Sequence, residues 1–203
     1  LLFLCSLTLP AYCQTKEWQI PVLVCNRRMW QAVSLTEIGG FGSARKPRPS
    51  VPAHFHTGVD IKRPSNNYKN EPVFPAGTGI IISKRDDGAY AQLIIEHYLG
   101  GTACVWTVYE HIAGITVSVG DTVFADKPIA RFFNTRELDS LGWQFDHLHF
   151  EVMKAKPYRL KTNQKTPQRF YGTCSLECYT MEKLNVTYYN PMEFIQNRKD
   201  TTR

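Results

Sequence analysis

The feature that most restricts the fold is a succession of short stretches rich in branched residues, punctuated by glycine and aspartate turns, between Val73 and Phe133. Val73 to Lys84 carries Gly-Ile-Ile-Ile-Ser, Ala91 to Tyr98 holds Leu93, Ile94 and Ile95, and Cys104 to His111 is dense in aromatic and branched residues. Ile115 to Val119 alternates apolar residues with Thr116 and Ser118, Thr122 to Phe133 follows, and His147 to Met153 adds one more stretch. Asp87-Gly88, Gly100-Gly101 and Gly120-Asp121 separate these pieces as turn signals. No long segment of helical period competes with them. The pattern predicts a mainly β chain folded as a single antiparallel β-sheet domain with long loops. Helices are expected at Thr135 to Leu141 and, as a short C-terminal helix, at Pro191 to Asn197, which Asn190 caps and Pro191 opens.

A chain of 203 residues, 43% hydrophobic and 21% charged, suits one domain with a full core. The expected division is a signal peptide over 1–13 with its start missing, an N-terminal segment over 14–38, the main domain over 39–197 and a tail over 198–203. The opening Leu-Leu-Phe-Leu-Cys-Ser-Leu-Thr-Leu-Pro-Ala-Tyr-Cys is too short to span a bilayer as a helix and suits the apolar region of a secretory signal, with Ala11 and Cys13 spaced as at a cleavage site. Within the main domain, 154–189 holds Lys, Thr, Gln and Pro with two cysteines and is read as an inserted long loop or small surface subdomain. Of six cysteines, removal of Cys5 and Cys13 leaves Cys25, Cys104, Cys174 and Cys178, which in a secreted or periplasmic protein are expected to form disulfides, with three possible pairings. The net charge of +6 favours anionic surroundings. No Lys/Arg run is dense enough to serve as a nucleic-acid arm, and the runs Arg45 to Arg48 and Lys154 to Lys165 read as solvated loops.

Chemistry concentrates in six histidines: His54, His56, His97, His111, His147 and His149. Two pairs have the form His-x-His, which on a strand sets both imidazoles on one face. In His56-Thr57-Gly58-Val59-Asp60 a carboxylate follows His56 by four residues, and Gly58 is expected to let the backbone bend so that the two converge. A catalytic zinc site needs three nitrogen or oxygen ligands and one open position, and two histidines with an aspartate meet that need. Further histidines can move protons or stabilise an oxyanion. Residue types alone do not say which member of each pair binds metal. His54 reads as a loop residue and His97 as a second-layer or turn residue.

His56-Thr57-Gly58-Val59-Asp60, Tyr109-Glu110-His111, Val119-Gly120-Asp121-Thr122-Val123 and His147-Leu148-His149-Phe150-Glu151 match, in order, the motifs of lysostaphin-like, β-lytic type zinc metalloendopeptidases. Pro72 to Gly79 and Asn190-Pro191 also resemble segments of that family, so the resemblance runs from Gly39 to Ile195. It implies the lysostaphin-like peptidase fold, one Zn2+ per chain held by His56, Asp60 and His149, and catalytic roles for His111 and His147. It further implies a peptidoglycan hydrolase that cuts stem peptides or cross-bridges, located outside the cytoplasm and without nucleic acid as partner. The alternative is a non-cutting cell-wall-binding or regulatory module of the same fold, against which the retained His111 and His147 weigh. The chain departs from the family pattern at Glu110, where a small residue is more usual, at Asp146, where a small residue or proline is typical, and in the length of the insertion over 154–189. These departures are expected to line or flank the substrate groove.

Overall fold

A computed structural model of the protein describes residues 18–198. The expected signal peptide and all but the first residue of the expected tail lie outside them. The chain is mainly β, and its strands pair antiparallel throughout. The largest sheet has seven strands. Its path runs through Tyr188–Tyr189, His147–Met153, Ala103–Glu110, Gln92–Gly100, Gly79–Arg85 and Thr122–Val123, and Val59–Lys62 also pairs with His147–Met153.

The strands distribute over several sheets rather than one. A three-stranded sheet joins Pro72–Val73, Ala130–Phe132 and Ile112–Ala113, and two strand pairs stand apart. The expected strands Val73 to Lys84 and Thr122 to Phe133 are each broken where a proline sits, at Pro75 and Pro128. Proline has no N–H for a ladder, so the chain leaves one sheet and enters another at these points. Ile115 to Val119, expected as a strand, has no ladder partner. Its apolar side chains pack against the core, while its backbone is held through Thr116, whose N–H donates to Ile129 O at 3.0 Å.

Side chains of the central sheet alternate between two faces. Leu93, Ile95, Val105, Tyr109, Leu148, Phe150 and Val152 point to the main core, which residues from 18–38 complete through Ile20, Val22 and Trp30. Ile94, Trp106, Val108 and Met153 point the other way. That second face is covered by the segment 154–189, whose Cys178, Leu184 and Tyr188 are buried against it. The segment contains a strand pair, Tyr158–Arg159 with Tyr171–Gly172, the helix Met181–Thr187 and the edge strand Tyr188–Tyr189.

The helix Thr135–Leu141 forms as its sequence asks. Asn134 accepts from Glu137 N, and the Glu137 carboxylate accepts from Asn134 N, a reciprocal cap. The last helix, Pro191–Gln196, is capped by Asn190.

The disulfide expectation is not supported: among the described residues, Cys25, Cys104, Cys174 and Cys178 are free thiols. The turn between Cys174 and Cys178 is closed by its backbone, and the Cys178 thiol faces the Cys174 carbonyl at 3.6 Å instead of its sulfur. Burial pushes the Cys178 thiol up to about 11, which keeps it protonated. No helix among the described residues is long and apolar enough to cross a membrane.

Candidate metal centre

Strand register builds the site. On His147–Met153, residues 147, 149 and 151 share the face opposite the main core. Asp60 on the strand Val59–Lys62 lies directly across from His149, and Glu110 lies across from it on the other side. Directly opposed residues share a face, so the carboxylate of Asp60 is brought to the imidazole of His149 by pairing alone. His56 arrives from the end of the short strand His54–Phe55. Gly58 permits this for a reason other than bending. A β-carbon there would lie 2.3 Å from the Phe150 carbonyl oxygen, so only glycine lets the loop approach the His147–Met153 strand.

The three candidate ligand atoms form a nearly equilateral triangle. His56 Nε2 and Asp60 Oδ1 are 3.0 Å apart, His149 Nδ1 and Asp60 Oδ1 2.9 Å, and His56 Nε2 and His149 Nδ1 3.0 Å. All three residues are buried, and they are the one group among the described residues that can hold a metal ion. Zinc with ligands at about 2.0–2.1 Å in a tetrahedron spaces them about 3.3 Å apart, a small outward movement from this triangle.

The outer nitrogens fix the tautomers. His56 Nδ1 lies 3.0 Å from Gly40 O, and a carbonyl only accepts, so Nδ1 carries the proton and Nε2 offers its lone pair. His149 Nε2 lies 3.0 Å from Glu151 Oε1. Asp60 Oδ2 accepts from Arg45 at 2.7 Å, which leaves Oδ1 turned to the histidines.

His111 and His147 stand at the edge of the triangle. His111 follows the strand Ala103–Glu110 with φ of 64°, a left-handed conformation that swings its ring into the cleft. Its Nδ1–H donates to Ala89 O at 2.6 Å, which leaves the Nε2 lone pair available, 3.9 Å from Glu110 Oε1. The rings of His111 and His147 are 4.8 Å apart, and His147 Nε2 is 3.6 Å from Asp60 Oδ1. Phe145 and Tyr90 pack around His111 with ring centroids at 5.0 and 5.6 Å.

The electrostatics divide the five groups. Burial lowers His56 and His147, and it pushes His111 down to about 3, so these imidazoles are neutral near pH 7. Burial also opposes the charged forms of Asp60 and His149. Hydrogen bonds outweigh it: His149 and His56 hold the Asp60 carboxyl far below the carboxylate range, and Asp60 and Glu151 raise His149. Burial raises Glu110, whose Oε2 accepts from Gln92 at 2.7 Å.

A cleft of about 770 Å³ opens over the triangle, with walls that include Arg45, Tyr90, Glu110, Phe145, Ser175 and Leu176. Glu110 and, from the segment 154–189, Ser175 and Leu176 line the cleft. Asp146 does not. It accepts from Arg63 at 2.6 and 3.0 Å and anchors the turn before His147 to the end of the strand Val59–Lys62.

The structure brings His56, Asp60, His111, His147 and His149 together. His54 is a buried strand residue in the cleft wall, bonded to Pro52 O at 2.8 Å, rather than a loop residue. His97 is neither a turn residue nor near the site. It is fully buried in the core between Thr78 O and Thr107 Oγ1. Arg45, read as part of a solvated run, is instead half-buried against Asp60. No local signal marks it. Glu151 had one: it continues the alternation of His147 and His149 along a strand.

The profile described as Peptidase family M23 matches residues 54–165. Similar solved structures include a zinc-containing peptidase from Vibrio cholerae, 26% identical, covering 67% of this chain and 36% of that one, with a TM-score of 0.46. Lysostaphin in solution is 20% identical over 84% of this chain and 53% of that one, with a TM-score of 0.48. Lysostaphin from Staphylococcus simulans is 19% identical over 91% and 56%, with a TM-score of 0.44. The chain therefore spans 36%, 53% and 56% of the lengths of these three. No curated protein sequence matches it.

Proposed function

The chain belongs to peptidase family M23, and on that footing we propose that it is a zinc-dependent endopeptidase that hydrolyses peptide bonds in the stem peptides or cross-bridges of peptidoglycan, in the periplasm or outside the cell. The observation that carries this reading is the buried triangle of His56 Nε2, Asp60 Oδ1 and His149 Nδ1, open on one side to a cleft where His111 and His147 wait. Its donor set of two imidazoles and one carboxylate fits one zinc ion and leaves a position open. The ion supplies Lewis acidity for the scissile carbonyl and for a water molecule.

The remaining chemistry falls to the protein. Asp60 and His56 hold their donor atoms through Arg45 and Gly40 O, so the ligands need only a small outward movement to reach zinc spacing. His111 Nε2 is unprotonated and faces the cleft, the form that accepts the proton of an attacking water. His147 lies against His111 and completes the path that returns this proton to the leaving amine. Tyr90 and Phe145 pack beside the His111 ring. The net charge of +6 supports an anionic polymer as substrate.

The test is digestion of purified sacculi by zinc-loaded protein, followed by mass spectrometry of the muropeptides. New amine ends in stem peptides or cross-bridges are expected, and a chelator should abolish them. Sacculi that bind the zinc-loaded protein but keep all their peptide bonds would identify a non-cutting module instead.

A further inference from the structure

Glu151 is a buried carboxylate for which the fold itself has little use. It is 1% exposed, on the strand His147–Met153 two residues beyond His149. Oε1 accepts from the Thr57 hydroxyl and lies 3.0 Å from His149 Nε2. Oε2 has no hydrogen-bond partner among the described residues. An ionised carboxylate out of water with one oxygen unpaired is destabilising, and a residue of equal shape without the charge would pack there at lower cost. The geometry instead aims the charge at one atom.

His149 has a carboxylate on each side, Asp60 Oδ1 2.9 Å from Nδ1 and Glu151 Oε1 3.0 Å from Nε2. A neutral imidazole keeps one proton. When Nδ1 gives its lone pair to a metal, that proton must sit on Nε2, and a buried Nε2–H without an acceptor would be costly. Glu151 Oε1 is the acceptor in place. His56 solves the same problem with a neutral carbonyl, Gly40 O. Of the two histidines in the triangle, His149 alone is backed by a charge, which makes its ring the stronger donor.

We infer that Glu151 is a positioning residue for the metal: by accepting Nε2–H of His149 it commits Nδ1 to the ion. This rests on the metal reading proposed above.

The experiment measures zinc affinity by competition with a chromophoric chelator, and the melting temperature of the metal-free form, for the wild type, Glu151→Gln and Glu151→Leu. Glutamine keeps an acceptor but loses the charge, while leucine removes both. Zinc binding is expected to weaken by about 10–100-fold, leucine more than glutamine. The metal-free melting temperature should stay nearly level in Glu151→Gln, which keeps an acceptor, and fall in Glu151→Leu, which leaves the Thr57 hydroxyl and the His149 ring N–H without one. In zinc-loaded wild type a ring N–H resonance of His149 should be protected from solvent exchange, and in Glu151→Leu it should exchange faster. A purely structural Glu151 would lower the metal-free melting temperature and leave zinc affinity unchanged in both variants, and that result would overturn the inference. Failure of the wild type to bind zinc would overturn the metal reading itself and this inference with it.

Discussion

Replacing Gly58 by alanine asks whether backbone proximity, not chain flexibility, assembles the metal site. The added β-carbon would sit 2.3 Å from Phe150 O and 2.9 Å from its carbonyl carbon. Both are backbone atoms of the His147–Met153 strand, held by ladders on either side, so neither can swing away as a side-chain tip would. Relief requires the loop at 58 to move off the strand, and Asp60 is only two residues further on. Overpacking of this kind costs about 1–3 kcal/mol. At about 2–4 °C per kcal/mol for a domain of this size, the metal-free melting temperature should fall by about 2–12 °C. Binding zinc requires the native spacing again, so strain that the free protein relaxes returns on binding. The strain counts once: any part that the free protein relaxes is missing from the fall in melting temperature and appears instead as weaker zinc binding, by about 5–140-fold if all of it is relaxed, a factor of ten for every 1.4 kcal/mol. Scanning calorimetry of the metal-free protein and a chelator competition read the two effects. A Gly58→Ala protein with wild-type stability and wild-type zinc affinity would refute the reasoning and restore bending as the role of the glycine.

His147→Ala should keep its zinc, because His147 is outside the triangle, yet lose about 10²–10⁴-fold in the rate of peptide cleavage; metal content and kinetics on one sample decide, and loss of zinc would place His147 among the ligands. Burial pushes His97 down to about 4 while its unfolded value is about 6.5. Below pH 6.5 the unfolded chain therefore binds more protons than the folded one, and stability falls with falling pH, by about 1.4 kcal/mol per unit and about 3 kcal/mol in all before the loss levels off near pH 4. Urea midpoints of metal-free protein across this window should show a shallower slope in His97→Gln, and an unchanged slope would remove His97 from the account. Leu184→Ala should destabilise by about 2–5 kcal/mol, because Leu184 is fully buried against the central sheet, whereas a detached surface loop would leave the denaturant midpoint where it was.

The sequence by itself determined the β character, the strand His147 to Met153 at its true bounds, the helix Thr135 to Leu141 and the histidines that gather at the site. These depend on local rules, alternation, turn residues and capping, which act over a few neighbours and are legible along the chain. Tertiary structure decided what depends on meetings between distant segments. Which sheet each strand joins was settled where Pro75 and Pro128 interrupt the ladders. Segment 154–189 reads as a polar loop because its charged residues outnumber Cys178, Leu184 and Tyr188, yet those few cover one face of the sheet. Arg45 carries no mark of its pairing with Asp60, since it owes that contact to a hairpin that turns it inward. Among the described residues free thiols stand where disulfides were expected, because pairing requires sulfurs brought face to face, a condition of position that no cysteine count contains. Gly58 shows the difference within one residue. Its place between His56 and Asp60 is visible in the sequence, but the reason for it is the Phe150 carbonyl on another strand.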